Sequence, residues 1–535
     1  MAKYTHEHGS IPELLRRRAR EVPDKVFLTM DDASLSYGEL DRSSRAFAGA
    51  LALSGIGAND RVGIMLDNSL EFFSCWFGTL RLGAIEVPLN TSLRGKHLEY
   101  IIGNCGMTLL ITSQAYLLRF QDIALPESLK QIVVLTTGEA SVNRLAIGFG
   151  GCSLVALSAF LKEGEMIAME DAPLTIASPA AIIYTSGTTG PSKGVVCPHG
   201  HLLALGAETL ELLEVGLQDV IYDAHPLYHA HSQGQAVMAA MIADIRLVMR
   251  KSFSASRFIG DMVDYGVTTA FLIGAAGLVL KQPKSEEDKQ HRLRVINAVP
   301  VPKELHRQLE ERFGVPVVEI YGMSEMGVIT CSPIAARVTG SCGVASPYRE
   351  VSIVDEMDRQ VAVGEVGQVV VRPRVPWVTF LEYWGMPEKS LEAFRNMWFH
   401  TGDSGRLDAK GYLHFIGRIK DSIRRRGENI SAFEVEQVIN AHPAVLESAV
   451  LAYPSPVGED DVWVVVVRVP QTELTAVELL AYCETALPRF AVPRYIQFEE
   501  QLPKTPTERI EKYKLSARGL ASDSFDRENE ARRSR

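Results

Sequence analysis

Short apolar runs alternate with amphipathic stretches along most of the N-terminal part of the chain. The segment LEFFSCWFGTLRLGAIEVPLN, residues 70–90, shows one such unit: an apolar helical face, a glycine, and an extended run interrupted by proline. The runs TLLIT, QIVVLT, AAIIYTS and VVEIYG have the length and composition of buried strands. This alternation predicts an α/β fold, in which helices cover parallel strands.

The pattern changes after Val344. The runs EVSIVDE, GEVGQVVVRPR and GYLHFIGR, separated by glycine turns, predict a small antiparallel β unit. Further on, LESAVLAYP, DVWVVVVRVP and the helical ELLAYCETALPRF predict a separate α+β module of about a hundred residues. We therefore expect a large N-terminal domain at 1–418, a C-terminal domain at 419–515 and a disordered tail at 516–535, whose composition is polar and charged.

Composition narrows the classes of function. A chain of 535 residues is expected to form at least two domains. The net charge of -10 argues against nucleic acid as a main partner. The 7 cysteines include no C-x-x-C pair, and neither an apolar leader nor a long apolar run is present, which predicts a cytoplasmic enzyme without a membrane span. A homodimer is the default expectation.

The stretch YTSGTTGPSKGVV, residues 184–196, is the clearest chemical signal. It follows the predicted strand AAIIY and combines glycines, which free the backbone, with hydroxyl groups and Lys193. Such a loop suits a polyphosphate. It is not a Walker A loop, because Ser192 stands where that pattern needs glycine and Gly194 where it needs Ser or Thr. The alternative is a Gly/Ser-rich surface turn.

Further motifs follow in a fixed order along the chain. They are PLYHA from Pro226, NAVP from Asn297, YGMSE from Tyr321, HTGD from His400, and then GRIKDSIRRRGENI and LPKTPTERIEK. Together with the loop, they resemble the signatures of the adenylate-forming superfamily, which includes acyl- and aryl-CoA synthetases, luciferase and peptide-synthetase adenylation domains. Within it, the chain looks most like the crotonobetaine/carnitine-CoA ligase group.

The resemblance implies a two-step ligase that uses ATP, Mg²⁺ and coenzyme A. A carboxylate attacks the α-phosphate of ATP to give an acyl-adenylate and pyrophosphate, and the thiol of CoA then displaces AMP. The partners it implies are therefore a small carboxylic acid, ATP and CoA. The fold it implies is a large α/β domain followed by a mobile α+β lid.

The resemblance also assigns roles in the ATP site. The loop would hold the β- and γ-phosphates, Glu325 with Thr185 would bind Mg²⁺, and Ser324 would contact the α-phosphate. Asp403, helped by Arg418, would bind the ribose hydroxyls. The phosphate-loop residues are Thr185, Ser186, Gly187, Thr188, Thr189, Gly190 and Lys193, and the adenine-slot residues are Asn297, Ala298, Val299, Tyr321 and Gly322.

Other roles concern the lid and the acyl pocket. By resemblance, Lys420 would be the hinge of the lid, and pantetheine would lie beside the backbone of Gly427, Glu428 and Asn429. The basic run 424–426 could steer the phosphates of CoA or simply be a solvated face. His229 would separate the acyl pocket from the adenylate site.

The histidines in and around PLYHA allow two other interpretations, a metal site and a structural role in the core. His225, His229 and His231 lie close together in sequence, yet no adjacent carboxylate or thiol is evident that would complete a metal site, so we do not predict one. His229 could also be a structural core histidine.

The last motif departs from the family. Its usual Gly-Lys pair is replaced by Glu508 and Arg509. We expect Arg509 to take the catalytic role of the lysine, although arginine is broader and planar. Adenylation could instead move to Lys512 or be weakened. Two other functions therefore stay open: an adenylate-forming enzyme whose acceptor is not CoA, and a nucleotide-binding protein without catalysis.

Overall fold

The computed structural model describes residues 9–136, 149, 151–185, 192–299, 301, 303–425, 428–455, 459–505 and 510–528. The chain divides into two compact units. One comprises Met1–Glu350 and Arg372–Phe394, and the other comprises Val351–Val371 and Arg395–Arg535. The predicted boundary between residues 418 and 419 stays a prediction. Residues 351–371 and 395–418 belong to the same compact unit as the C-terminal module.

The first unit contains two seven-stranded sheets, each parallel except for one antiparallel edge pair. The first sheet has the order Val317–Val318, Val295–Val299, Thr269–Ile273, Val220–Asp223, Arg246–Met249, Val26–Met30, Ala33–Ser36. The second has the order Ser153–Ala156, Gln131–Leu135, Leu109–Ser113, Arg61–Met65, Ile85–Pro88, Pro179–Thr185, Lys193–Pro198. The predicted parallel α/β fold is confirmed.

Helices alternate with these strands, as the amphipathic pattern predicts. Several begin where a side chain caps the free N–H groups: Ser36 forms a capping box with Glu39, and Ser69 accepts from the N–H of Phe72. The α-helices of this unit are Ile11–Glu21, Tyr37–Leu53, Leu70–Arg81, Gly95–Cys105, Gln114–Leu117, Leu157–Glu165, His199–Leu212, Ala239–Ala243, Phe258–Asp264, Ala276–Leu280, Lys303–Phe313 and Pro387–Ala393. None of the described helices is long and apolar enough to cross a membrane.

Two further features of this unit position the candidate site. Residues His231–Met238 form a π-helix, an uncommon conformation that often occurs at functional sites. A three-stranded antiparallel sheet follows the first large sheet in the chain, with the order Ile320–Met323, Gly327–Cys331, Val344–Ala345. The turn between its first two strands carries Ser324 and Glu325. Short 3₁₀ helices lie at Leu118–Phe120 and Glu286–Lys289.

The antiparallel β unit predicted after Val344 is confirmed. Five strands form one sheet: Arg349–Val354, Gly367–Pro373, Phe394–Arg395, Trp398–Leu407 and Leu413–Arg418. A 3₁₀ turn at Ile419–Asp421 leads to the ribbon Ser422–Arg425 and Glu428–Ser431. The C-terminal module has helices Ala432–Asn440, Ala476–Ala486 and Lys512–Arg518 and a sheet of order Val445–Pro454, Asp460–Arg468, Tyr495–Glu499, Phe525–Asp526.

The expected disorder of 516–535 is corrected for its described part, residues 516–528. Phe525–Asp526 pairs antiparallel with the strand Tyr495–Glu499, and Arg494 forms an ion pair with Asp526 at 3.3 Å. Phe525 packs against the core of the module. The low apolar content suggested disorder, but strand pairing, the packing of Phe525, and ion pairs of Arg494 with Asp526 and Glu528 hold this segment to the sheet.

Candidate active site

The strands on both sides of the glycine-rich loop form an antiparallel hairpin. Thr185 and Lys193 face each other across it, and the hydroxyl of Thr185 lies 3.5 Å from the carbonyl oxygen of Lys193. The loop residues Ser186, Gly187, Thr188, Thr189 and Gly190 lie outside the described residues. The far end of the loop is held at Ser192, whose hydroxyl is 2.9 Å from His97 Nε2 and whose carbonyl accepts from Tyr100 at 3.1 Å.

Lys193 and Glu325, far apart in sequence, contact the same tyrosine. The phenol of Tyr383 donates a hydrogen bond to Glu325 Oε1 at 2.9 Å, and the Lys193 ammonium lies 4.4 Å from the centre of the Tyr383 ring. Burial, with the neighbouring carboxylate, raises the pKa of Tyr383 far above its usual value, so the phenol keeps its proton. The structure thus brings together two predicted site residues through a third that the sequence did not indicate.

Backbone contacts fix the chain around Glu325. The carbonyl oxygen of Glu325 accepts from the N–H of Phe380 at 2.8 Å, and that of Met326 accepts from Arg349 Nε at 2.6 Å. The carbonyl oxygen of Ser324 is 2.9 Å from His201 Nε2. Burial lowers the pKa of His201 to about 4, so its ring is neutral at pH 7. The turn that carries Glu325 is therefore held by three separate elements.

The predicted adenine slot lies on two neighbouring elements of the chain. Asn297, Ala298 and Val299 belong to the strand Val295–Val299, while Tyr321 and Gly322 belong to Ile320–Met323. Asn297 is fully buried, and neither its amide nitrogen nor its amide oxygen has a hydrogen-bond partner among the described residues. A buried amide usually has partners, so this one has the capacity to donate to and accept from a polar ligand.

Asp403 and Arg418 are paired, as the prediction of a shared ribose site requires. The strands Trp398–Leu407 and Leu413–Arg418 place them opposite each other, and Arg418 Nε is 2.9 Å from Asp403 Oδ1. Asp403 is buried, and its side chain follows Gly402, whose φ of +71° lies in the left-handed region that favours glycine. Asp403 therefore lies within a strand, and its pairing with Arg418 orients the carboxylate.

The predicted lid residues have mixed outcomes. Lys420 lies in the 3₁₀ turn Ile419–Asp421, and its pKa is lowered, chiefly by burial. Gly427 and Arg509 lie outside the described residues, and only the backbone of Glu428 and Asn429, in the strand Glu428–Ser431, is described.

Lys512, the alternative to Arg509, is engaged elsewhere in this structure. Its ammonium is 2.8 Å from Glu436 Oε1. Burial raises the pKa of Glu436 against the opposing effect of Lys512. This partly buried ion pair holds Lys512 to the helix Ala432–Asn440.

Arg425, in the basic run, has a structural role that the sequence did not predict. Its side chain is buried, 3.1 Å from Asp461, and donates to the carbonyl oxygens of Phe490 and Val492. Because it is buried, Arg425 belongs neither to a surface that steers CoA nor to a solvated face. Arg424 is exposed and lies 3.6 Å from Glu459.

A carboxylate does complete the histidine cluster. Asp223, His225 and His231 offer ligand atoms within 4.8 Å of one another. However, His225 Nδ1 is 2.7 Å from Asp223 Oδ1, and its Nε2 is 3.1 Å from the carbonyl oxygen of Ile273. Both partners are acceptors, and one of them is the carboxylate of Asp223, so this geometry favours the imidazolium form of His225, in which both nitrogens donate.

The pKa shifts of Asp223 and His225 follow from their ion pair. Burial opposes both charges, but the pairing outweighs it, lowering the pKa of Asp223 to about 2 and raising that of His225. Burial lowers the pKa of His231 to about 4. Ser232 also donates to Asp223, at 2.5 Å, which links the strand end to the π-helix. An imidazolium has no free lone pair for a metal.

His229 lies just before the π-helix. Its ring is tilted 4.7 Å from that of Tyr228, and its carbonyl accepts from the N–H of Gln233. In turn, Gln233 donates to both oxygens of Glu86, a fully buried carboxyl whose pKa burial raises well above its usual value. His229 is not part of the group formed by Asp223, His225 and His231. Its predicted role at the acyl pocket stays a prediction.

Sequence reasoning missed two residues of this region, Tyr383 and Asp223. Asp223 had a usable signal in the sequence, the short apolar run VIY directly before it and His225 two residues after it. It ends the strand Val220–Asp223, and ligand sites of α/β sheets lie at the carboxyl ends of strands. Tyr383 had no such signal in the sequence, because only the tertiary structure brings it close to Lys193.

The chain is similar to known proteins in both sequence and fold. Residues 15–384 match the family model of the AMP-binding enzymes, and 434–509 match that of the AMP-binding enzyme C-terminal domain. The crotonobetaine/carnitine–CoA ligase of Citrobacter koseri is 32% identical over 90% of this chain and 92% of that ligase. Its counterpart from Salmonella paratyphi A is 30% identical over the same shares. The crystal structure of ATP-bound MatB from Rhodopseudomonas palustris superposes with a TM-score of 0.81 at 26% identity, covering 95% of this chain and 98% of that one.

Proposed function

The chain belongs to the family of AMP-binding enzymes, and on this premise we propose that it joins a carboxylic acid to coenzyme A at the expense of ATP. The acid first becomes an acyl-adenylate with release of pyrophosphate, and the CoA thiol then displaces AMP. One observation carries the assignment: the family match spans 15–384, and relatives named as CoA ligases align over 90% of the chain.

Within this reaction, the Lys193–Tyr383–Glu325 arrangement serves the triphosphate. Lys193 supplies a cation at the end of the glycine-rich loop, and Glu325 and Thr185 supply the oxygen ligands that Mg²⁺ prefers. The hydrogen bond from Tyr383 engages one carboxylate oxygen of Glu325. Bound magnesium would offset the negative charge of the phosphates. Ser324, next to Glu325, is assigned to the α-phosphate.

The nucleoside has two groups of proposed ligands. The unpartnered buried amide of Asn297 fits the donors and acceptors of adenine. Ala298, Val299, Tyr321 and Gly322 complete the slot. The buried Asp403, oriented by Arg418, fits the ribose hydroxyls, because a carboxylate can accept two hydrogen bonds.

We assign the reacting cation to Arg509 and the hinge to Lys420. Because Glu436 holds Lys512, Lys512 is the weaker candidate for that cation. Gly427, Glu428 and Asn429 are the proposed contacts of pantetheine, and His229 is proposed to close the acyl pocket.

The class of acid is the least constrained part of the proposal. The relatives are named for crotonobetaine and carnitine, which are small acids with a quaternary ammonium group, and these are the first candidates. Short aliphatic and aryl acids serve as comparisons.

The test is a pyrophosphate-release screen over these acids, each with and without CoA and with and without Mg²⁺. We expect acid-dependent release that needs Mg²⁺, and a thioester only when CoA is present. Release without thioester formation would instead support a different acceptor. ATP binding with no release for any acid would support a nucleotide-binding protein without catalysis.

Arg509 is tested in the first half-reaction alone. Arg509→Ala is expected to lower acyl-adenylate formation at least tenfold, because the reacting oxygens lose a cation. Arg509→Lys restores the charge and is expected to retain activity. Equal rates for Arg509→Ala and the unmodified chain would refute the role.

A further inference from the structure

Tyr383 stands between two opposite charges that would otherwise attract each other. An ammonium and a carboxylate 4 Å apart near a protein surface attract by about 4 kcal/mol. Lys193 and Glu325 form no ion pair among the described contacts, although both touch Tyr383. The ring face takes the cation and the hydroxyl takes the anion, so the two side chains are held on different parts of one rigid group.

The backbone keeps Tyr383 in this place independently of its side chain. The N–H of Trp384 donates to the carbonyl oxygen of Gly194 at 2.7 Å, and Tyr383 itself forms a β-bridge with Val195. The N–H of Tyr383 donates to Ser390 Oγ at 2.9 Å. Residues 381–384 thus run beside the strand Lys193–Pro198 and form backbone hydrogen bonds with it. Changing the Tyr383 side chain leaves these backbone contacts intact.

From this geometry we propose that Tyr383 is a positioning residue of the nucleotide–magnesium site. It holds the Glu325 carboxylate for the metal and keeps the Lys193 ammonium apart from it, available to a phosphate. The inference rests on the proposed function, since Lys193 and Glu325 serve ATP and magnesium only there. A purely structural tyrosine would stabilise the fold without affecting the dependence on magnesium.

Two variants separate the two contacts. Tyr383→Phe removes the hydroxyl and keeps the ring, so the Glu325 contact is lost and the Lys193 contact remains. Tyr383→Leu removes both. The matched control is Tyr222→Phe, which removes another buried phenol-to-carboxylate hydrogen bond, 3.2 Å long and donated to Asp261.

The primary measurement is binding of ATP by calorimetry, with Mg²⁺ and with chelator, since it needs no knowledge of the acid. For Tyr383→Phe we expect affinity for ATP with Mg²⁺ to fall roughly tenfold, the size of one lost hydrogen bond to a charged group, and affinity without Mg²⁺ to change little. Tyr383→Leu should weaken binding in both conditions, and Tyr222→Phe in neither.

A double variant shows whether Tyr383 acts through Glu325. On a Glu325→Gln background, Tyr383→Phe should add almost nothing to the loss, because the carboxylate it positions is already gone. In turnover assays, the half-saturating Mg²⁺ concentration should rise for Tyr383→Phe while KM for the acid stays constant.

The outcomes distinguish this inference from the proposed function. If the unmodified chain does not bind ATP with Mg²⁺, the proposed function fails and this inference with it. If the unmodified chain binds ATP with Mg²⁺ and the Tyr383→Phe variant binds it with an affinity within twofold, the inference is overturned and the proposed function stands. Equal losses with and without Mg²⁺ for Tyr383→Phe would also overturn it, in favour of a structural role.

Discussion

The buried pair of Asp223 and His225 allows a quantitative prediction. Asp223→Asn leaves the imidazolium of His225 buried without its partner. Pairing lowers the pKa of Asp223 from 3.8 to about 2, which corresponds to about 2 kcal/mol of stability. We therefore expect Asp223→Asn to lower the free energy of unfolding by about 2 kcal/mol at pH 5.5.

The sign of the pH dependence follows from the two shifts. The raised pKa of His225 gives a contribution that is full below its unfolded value and is lost as pH rises through the folded value. The lowered pKa of Asp223 gives one that is present above its unfolded value and is lost as pH falls through about 2. The pair therefore stabilises the fold most between about pH 4 and 6.5.

The assay is a double-mutant cycle of Asp223→Asn, His225→Asn and the double variant, measured by guanidinium unfolding at pH 5.5 and 9. We expect a coupling energy of about 2 kcal/mol at pH 5.5 that falls by at least half at pH 9. Asp408 and His414, a more exposed pair at 3.2 Å, provide the control, and their coupling is expected to be clearly smaller than that of Asp223 and His225. A coupling below about 0.5 kcal/mol at pH 5.5, or one independent of pH, would refute the assignment of an imidazolium.

Two further predictions concern packing and buried charge. A Cβ at Gly164 would lie 1.8 Å from a backbone carbonyl oxygen of the neighbouring helix, so Gly164→Ala should lower the free energy of unfolding by about 1–3 kcal/mol. Gly103→Ala is the control, since a Cβ on this helical glycine meets nothing within 4 Å and should be neutral or stabilise by up to about 1 kcal/mol. Arg81, almost fully buried, pairs with Asp41 and Asp171, so Arg81→Met should cost about 3–5 kcal/mol in the same unfolding assay. A loss below about 1 kcal/mol would show that the two carboxylates find other partners.

Local patterns were sufficient for most of the fold. The strand TLLIT occurs as Leu109–Ser113 and QIVVLT as Gln131–Leu135, because a short apolar run bounded by turns has one stable place in a parallel sheet. The helix predicted in LEFFSCWFGTLR occurs as Leu70–Arg81. The glycine-rich loop was likewise placed correctly between two strands, since its flanking apolar runs carry their own signal.

Contacts that depend on register were not predictable. In the strand Ser422–Arg425, alternate side chains are buried, and this places Arg425 inward, opposite Asp461. The sequence of three consecutive arginines does not indicate which side chain points inward. The register with the strand Glu428–Ser431 determines that. The strand Phe525–Asp526 was missed for a similar reason, since two residues are too few to form a pattern.

The support of Glu325 shows why the chemistry of a site is harder to read than its location. The motif YGMSE places the carboxylate on a turn, but the turn is held through the carbonyl oxygens of Glu325 and Met326, bonded to Phe380 and Arg349. These bonds fix the backbone and leave the side chain free to rotate, whereas the Tyr383 hydroxyl restrains the carboxylate itself. Removal of the Arg349 side chain should therefore unfold the turn. Removal of the Tyr383 hydroxyl should change only the direction in which the Glu325 carboxylate points. Such a division of roles lies in residues distant in sequence, which no local motif contains.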